Sequence, residues 1–132
     1  MSGSLTAAVT SNGASHKVAG RVGDAPIVGA GGYAADGAGC AAATGDGDIT
    51  QRFLPAFYAT EQMRMGRSPQ EACDAAVRRI MAKVSDFSIG LVCLSPSGEH
   101  AASAHGWQPQ QFGYCHGDEH NDVRCEKVTS LV

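Results

Sequence analysis

Residues 20–44 read GRVGDAPIVGAGGYAADGAGCAAAT, and this stretch decides the fold. Two apolar runs of strand length, Ile27–Tyr33 and Gly39–Thr44, flank the sequence Ala34-Ala35-Asp36-Gly37. An Asp-Gly pair between such runs is a strong signal of a β-hairpin, because both residue types tolerate the backbone that tight hairpin turns need. The alanines of the second run do not by themselves favour a strand, but they let another layer pack closely. We therefore predict an antiparallel hairpin over residues 27–44.

Two helices are predicted after this hairpin. The first follows Thr44-Gly45-Asp46-Gly47-Asp48 and covers about residues 49–63, where apolar side chains recur at helical spacing. Pro55 should kink or divide it, because proline lacks an N–H group and clashes with the preceding turn. The second begins at Ser68-Pro69-Gln70-Glu71, which combines an N-cap serine, a proline at the first helical position and the glutamate of a capping box. Its apolar stripe extends to Val84 and should lie on a sheet.

Short strands are predicted before and after these elements. They are residues 4–10, 88–94 and 100–105, with residues 110–115 as a further candidate. Residues 117–132 are charged and aperiodic, so we expect a poorly defined tail, with an ordered edge at best. The order strands, two helices, strands predicts an α+β fold, with an antiparallel sheet and two adjacent helices on one face.

Composition excludes several classes of partner. The 132 residues carry a formal net charge of −3 with only 10 Lys and Arg, so the chain has no electrostatic footprint for nucleic acid. No run of 18 apolar residues is present, so no segment is predicted to span a membrane. A small molecule or another protein chain is the expected partner.

The cysteines and histidines show no metal-binding spacing, and we predict neither a metal ion nor any cofactor. Cys40, Cys73 and Cys93 lie in apolar settings, where a buried free thiol is the usual state. Cys115 and Cys125 are close enough to form a disulfide if the compartment is oxidising.

The loop before the hairpin carries an arginine and an aspartate three residues apart. Arg21 and Asp24 are flanked by Gly20, Gly23 and Pro26. As isolated residues they would form a surface ion pair worth roughly 0 to 1 kcal/mol. In a rigid loop that leads directly into an apolar strand, however, a guanidinium and a carboxylate can bind the two charged ends of a small zwitterion.

Thr44-Gly45 and Ser11 have two interpretations each. Thr44-Gly45 is explained by a simple strand-to-helix turn, or by a hydroxyl and an N–H group that together donate to an oxygen becoming negative in acyl transfer. Ser11 is explained by a turn before Gly13. No complete nucleophile motif is present in the chain. The residues by themselves therefore indicate a glycine-rich α+β ligand-binding domain.

Four motifs, by their order and spacing, resemble the β-subunit of glycosylasparaginase, a threonine-type N-terminal-nucleophile hydrolase. They are Thr10-Ser11-Asn12-Gly13, Gly20 to Pro26, Gly29 to Ala34 and Ala41 to Asp48. The resemblance runs from about residue 3 to about residue 104. It implies that residues 1–132 form a single partial domain, half of an αββα sandwich that an α-subunit segment completes. It also implies higher oligomers of αβ units and a lysosomal or exported location.

The resemblance further implies a role for each candidate residue. In this family, a threonine exposed by self-cleavage attacks a side-chain amide while its own α-amine acts as base. Arg21 would bind the substrate α-carboxylate, Asp24 would bind the α-ammonium, and Thr44 with Gly45 would form the oxyanion hole. Ser11 takes the place of a threonine whose hydroxyl hydrogen-bonds the nucleophile. The nucleophilic threonine should stand before Gly3, and because it is absent we expect a fragment without hydrolase activity.

Three functions are compatible with this resemblance. The first is a fragment of an amidohydrolase that cleaves N4-(β-N-acetylglucosaminyl)-L-asparagine to L-aspartate and a glycosylamine. The second is a fragment of a plant-type L-asparaginase or isoaspartyl peptidase, and the third is a non-catalytic aspartyl-binding protein. Asn12, Asp48 and the run Arg52 to Pro55 favour the first.

Overall fold

The computed structural model describes residues 4–108, 111–118, 120 and 122–132. Four strands form one antiparallel sheet in the order β1-β2-β3-β4, and two more, β5 and β6, form a separate sheet. In chain order, the elements are Gly32–Ala35 (β1), Gly39–Gly45 (β2), Gly47–Thr50 (α1), the 3-10 turn Gln51–Phe53, Pro55–Arg64 (α2), Pro69–Met81 (α3), Ile89–Leu94 (β3), His100–His105 (β4), Gly113–Gly117 (β5) and Val123–Lys127 (β6). The predicted α+β class is confirmed.

The predicted hairpin is confirmed, but its first strand is shorter than predicted. Strand β1 pairs with β2 from Gly32↔Ala42 to Ala35↔Gly39, and the Ala38 N–H donates to the Ala35 carbonyl across a three-residue loop. Residues 27–31 form a bend and a turn with one isolated β-bridge, Val28↔Gly32, instead of a strand. The N–H groups of Ile27 and Gly31 both donate to the Asp24 carbonyl at 3.0 Å, so these two donors close the loop and do not extend the sheet.

The prediction of a strand over residues 4–10 is wrong. This segment has no strand structure, although it lies close to the hairpin. The Leu5 N–H donates to Asp36 Oδ1 at 2.9 Å, and a methyl group placed on Gly32 would meet Val9 Cγ2 at 2.9 Å. A weakly alternating segment makes a stable strand only when backbone partners pair with it, and here its contact with Asp36 is through a side chain.

Pro55 divides the first predicted helix into α1 and α2, as expected, and the second helix begins at its predicted cap. Leu54 adopts the left-handed conformation (φ 49°, ψ 57°), and Pro55 starts α2 immediately after it, because proline is tolerated in the first turn of a helix. Helix α3 has the predicted capping box: Ser68 accepts from the Glu71 N–H, and the Glu71 side chain accepts from the Ser68 N–H.

The main core lies between these helices and one face of the four-stranded sheet. Its largest fully buried side chains include Val77 and Ile80 of α3 and Ile89 and Leu91 of β3. The prediction of a buried free thiol holds for Cys40 and is wrong for Cys73 and Cys93, which lie in this core and form a disulfide. Packing of α3 on β3 brings their Cα atoms to 6.3 Å, a separation that a disulfide spans.

The C-terminal segment is more ordered than predicted. Strand β5 pairs antiparallel with β6 from Gly113↔Lys127 to Gly117↔Val123, and a disulfide joins Cys115 to Cys125, the pair that the sequence allows in an oxidising compartment. The Leu131 N–H donates to the Ala104 carbonyl at 2.7 Å, which fastens the end of the chain to β4. The candidate strand over residues 110–115 is realised from Gly113 onward, and Gln110 lies outside the described residues.

Candidate functional site

A cleft of about 480 Å³ opens at the end of the main sheet where β2 meets α1. All five residues predicted from the sequence border it: Ser11, Arg21, Asp24, Thr44 and Gly45. They come from three separate parts of the chain, a segment before the hairpin, the loop leading into β1, and the end of β2. The fold therefore brings together every candidate that the sequence analysis identified.

The Arg21 side chain lies in the cleft wall, in space that three glycines leave open. Its Nε donates to Asp48 Oδ1 at 3.0 Å, and its side chain is only 15% exposed. A methyl group on Gly23 would meet its Nη1 at 2.5 Å, and methyl groups on Gly13 and Gly47 would come within 3.1 and 3.3 Å of Nη1 and Nη2. The absence of side chains at these three positions makes room for the guanidinium. Because Asp48 engages Nε, the two terminal amino groups can bind a carboxylate ligand through parallel hydrogen bonds.

Asp24 presents a carboxylate oxygen without a protein partner. Its backbone carbonyl accepts from Ile27 and Gly31, so the loop around it is closed by backbone hydrogen bonds. Its Oδ2 is buried and has no hydrogen-bond partner among the described residues, while a methyl group on Gly47 would lie 2.8 Å from Oδ1. A buried carboxylate oxygen without a donor is costly. An ammonium group bound in the cleft would remove that cost.

Thr44 and Gly45 place donors at the open end of β2. The Ala43 N–H donates toward β1, to Gly31, and the Asp46 N–H donates toward β3, to Ser88. Successive N–H groups of a strand point to opposite sides. The Gly45 N–H therefore points to the same side as the Ala43 N–H, at a level of β2 that β1 does not reach. The Thr44 side chain is exposed to the cleft. The pair can therefore present a hydroxyl and an N–H group to one ligand oxygen.

Ser11 lines the cleft and makes a local hydrogen bond. Its Oγ accepts from the Gly13 N–H at 3.1 Å, which agrees with its interpretation as a turn serine. This hydrogen bond uses a lone pair of Oγ and leaves the hydroxyl proton available. Ser11 can therefore donate to a group in the cleft while it stabilises the turn.

Other residues that line the same cleft were not among the site residues predicted from the sequence. Asp46, Ser88 and Trp107 are three of them. Trp107 follows β4 and comes to the site only through the pairing of β4 with β3, so no local pattern marks it. Its one sequence signal is that it is the only tryptophan in the chain.

The described part of the chain offers no obvious metal centre. No group of three or more His, Cys, Asp or Glu side chains there has an arrangement that could hold a metal ion. Among the same residues, none of the helices has the length and apolar character needed to cross a membrane.

The fold and the cleft together describe an α+β domain that offers a cation, a carboxylate and strand-end donors to a small polar ligand. The family model described as Asparaginase matches residues 1–124 of the chain. The chain therefore belongs to the asparaginase family.

Similar proteins are named after two related activities. A putative N(4)-(β-N-acetylglucosaminyl)-L-asparaginase of Drosophila grimshawi is 44% identical over 122 residues, 92% of this chain and 30% of the relative. One of Drosophila persimilis is 48% identical over 77% of this chain and 26% of the relative. A probable isoaspartyl peptidase/L-asparaginase of Arabidopsis thaliana is 45% identical over 80% of this chain and 29% of the relative. The chain thus spans less than a third of the length of these relatives.

Proposed function

We propose that this chain is part of an amidohydrolase that cleaves N4-(β-N-acetylglucosaminyl)-L-asparagine to L-aspartate and a glycosylamine. The chain supplies the substrate clamp and the oxyanion hole. The nucleophilic threonine and an α-subunit segment lie outside these 132 residues, so the chain by itself is inactive. The observation that carries the proposal is the convergence of Ser11, Arg21, Asp24, Thr44 and Gly45 on one cleft.

The clamp binds the amino-acid end of the substrate. The Nη1 and Nη2 groups of Arg21 take the α-carboxylate, while Asp48 keeps the guanidinium oriented through Nε. The unpartnered Oδ2 of Asp24 accepts from the α-ammonium. Both contacts hold the substrate during the reaction and position its side-chain amide at the end of β2.

The second group of residues acts on the reacting amide. Attack by the threonine hydroxyl gives the amide oxygen a negative charge, which the Thr44 hydroxyl and the Gly45 N–H stabilise as donors. The hydroxyl of Ser11 hydrogen-bonds the attacking oxygen and orients it. The amine then leaves, and water releases L-aspartate from the acyl-enzyme.

A β-aspartyl peptidase is the second candidate function. It is favoured by the Arabidopsis relative, which is named a probable isoaspartyl peptidase/L-asparaginase. The clamp and the oxyanion hole serve both activities, because the aspartyl half of the substrate is the same. Assays of the full-length, self-cleaved protein on glycosylated asparagine and on β-aspartyl dipeptides separate the two, and a higher kcat/KM for the dipeptides would overturn the first proposal.

Calorimetry with L-aspartate tests the clamp in the 132-residue chain. We expect binding in the unmodified chain and an affinity lowered by about 10- to 150-fold in Arg21→Ala, the range for hydrogen bonds to a charged group. Arg64→Ala is the matched control, because Arg64 pairs with Glu61 on α2, away from the cleft. If L-aspartate does not bind, or if both variants lose affinity equally, the proposed binding role of Arg21 is contradicted. Binding to the chain alone would also fit the third function, a non-catalytic aspartyl-binding protein.

A further inference from the structure

We propose that Asn12 is a self-modification site, and that its deamidation places a carboxylate beside Arg21 and weakens the binding of the substrate α-carboxylate. The Asn12-Gly13 pair takes no part in the proposed reaction. Its modification depends only on these residues and water. The effect on binding rests on the proposed amidohydrolase function, because it takes Arg21 to hold the α-carboxylate.

The Asn12-Gly13 pair is exposed and lies beside the clamp. A hollow of about 210 Å³ is lined by both residues together with Lys17 and Arg21, and it shares Gly13, Arg21 and Asp24 with the cleft. Of the two asparagines in the chain, only Asn12 precedes a glycine. Because glycine has no side chain, the Gly13 nitrogen is unhindered as a nucleophile.

Deamidation at this pair needs no reactant other than water. The Gly13 nitrogen attacks the side-chain carbonyl carbon of Asn12, and its proton passes through solvent to the departing amide nitrogen. A new N–C bond forms, the C–N bond of the side-chain amide breaks, and ammonia leaves a succinimide ring. Water then opens the ring at either carbonyl, which gives an aspartyl or an isoaspartyl residue. The net change consumes one water, releases one ammonia and adds one negative charge.

Two cations stand next to the reacting atoms. A methyl group on Gly13 would lie 3.1 Å from Arg21 Nη1 and 3.4 Å from Lys17 Cδ. The attack makes the side-chain oxygen of Asn12 negative, and positive charge beside it stabilises that anion. The Gly13 N–H donates to Ser11 Oγ at 3.1 Å, and this hydrogen bond must break before the nitrogen attacks. Lys17 and Arg21 therefore favour the reaction, and Ser11 slows it.

The product carboxylate changes the electrostatics of the clamp. Asp48 already engages Nε of Arg21, so a ligand carboxylate needs the two terminal amino groups. A carboxylate at residue 12 lies in the hollow that Arg21 lines and competes for those groups. It also repels a ligand carboxylate. A deamidated chain therefore binds the substrate more weakly, so binding declines as the protein ages.

Peptide mass spectrometry tests the modification in the full chain, incubated in warm, mildly alkaline buffer. We expect residue 12 to gain the mass that separates an acid from an amide, and both aspartyl and isoaspartyl peptides to form. Asn121 is the internal reference, because the residue that follows it, Asp122, carries a side chain. Equal rates at the two asparagines, or no gain at residue 12, would overturn the proposal.

Two variants test whether the neighbouring side chains control the rate. Lys17→Gln should deamidate more slowly, whereas the control Lys83→Gln, which lies beyond the end of α3, should deamidate at the unmodified rate. Ser11→Ala should deamidate about 2- to 12-fold faster, the factor for one hydrogen bond. Unchanged rates in both Lys17→Gln and Ser11→Ala would overturn control by these residues.

Calorimetry with L-aspartate measures the effect on the clamp. Asn12→Asp, which carries the charge of the product, should bind about two- to fivefold more weakly than the unmodified chain, the factor for an exposed ion pair. Asn12→Gln keeps the amide and should bind as the unmodified chain does. In the Arg21→Ala background, Asn12→Asp should have no further effect, because the two changes act through one cation.

The outcomes separate this inference from the proposed function. Equal affinities of Asn12→Asp and Asn12→Gln, with binding still sensitive to Arg21→Ala, would overturn the inhibitory effect and keep the clamp. Failure of the unmodified chain to bind would remove the clamp and the inhibitory effect together. The mass spectra decide in either case whether Asn12 is modified.

Discussion

Gly45 ends β2 at a position where only glycine fits. Its φ of +135° lies in the region that other residues rarely adopt, and a methyl group there would collide with the Ser88 carbonyl and lie 2.8 Å from Ile89 Cα. The close backbone approach lets the Asp46 N–H bond to Ser88. The same geometry directs the Gly45 N–H into the cleft, so the structural and proposed functional demands on this residue coincide.

We predict that Gly45→Ala lowers the free energy of unfolding by about 1–3 kcal/mol more than Gly98→Ala does, the usual cost of overpacking. Gly98 also has a positive φ (+89°), but no atom lies within 4 Å of a methyl group placed there. Both variants strain the backbone, and only Gly45→Ala adds a collision. Urea unfolding followed by circular dichroism measures the difference, and equal losses would contradict the collision.

The capping box of α3 makes the stability of this element depend on pH. The Ser68 N–H donates to Glu71 Oε2 at 3.0 Å, and the Ser68 hydroxyl donates to the same oxygen at 3.0 Å. The hydrogen bond from the backbone of Ser68, followed by that from its side chain, lowers the pKa of Glu71 below its ordinary value.

Because the pKa of Glu71 is lower in the folded state, its stabilising contribution is fully present above the ordinary pKa and is lost as the pH falls through the folded-state pKa. We therefore predict that Glu71→Gln is less stable than the unmodified chain at neutral pH and that this difference shrinks in acid. Melting temperatures measured across the acid range check it. A stability difference that stays constant throughout the acid range would rule out the capping box as the cause.

At the scale of the whole molecule, the two disulfides join different parts of the fold. Cys73–Cys93 joins α3 to β3 through the core over a separation of 20 residues, so it connects the helical layer to the sheet. Cys115–Cys125 joins only the exposed hairpin of β5 and β6 over 10 residues. Loss of the first should affect global unfolding, and loss of the second should affect the hairpin.

We predict that Cys73→Ala/Cys93→Ala lowers the free energy of unfolding by about 2–5 kcal/mol, the usual effect of removing a native disulfide. Cys115→Ser/Cys125→Ser, its matched control, should instead speed proteolysis within residues 113–127 and change global unfolding less. Denaturant titration and limited proteolysis under non-reducing conditions measure the two effects. A larger global loss in the control would contradict this division.

The elements predicted correctly are those that depend on neighbours in the chain. Asp36-Gly37 marks the β1–β2 turn, Pro55 starts α2, and the capping box at Ser68 and Glu71 starts α3, each through contacts within a few residues. The predictions that failed depended on distant partners. Residues 4–10 needed a paired strand, and Cys73 and Cys93 met only when α3 packed on β3.

The candidate site divides in the same way. The sequence by itself determined the hairpin, the capped helix, the family, and the identity of Arg21, Asp24, Thr44, Gly45 and Ser11 as candidates, because these follow from local turn chemistry and motif spacing. Only the tertiary structure decided that the five share one cleft and that Trp107 joins them. The register of β2, β3 and β4 sets those distances, and pairing between strands that are far apart in the chain leaves no local pattern to read.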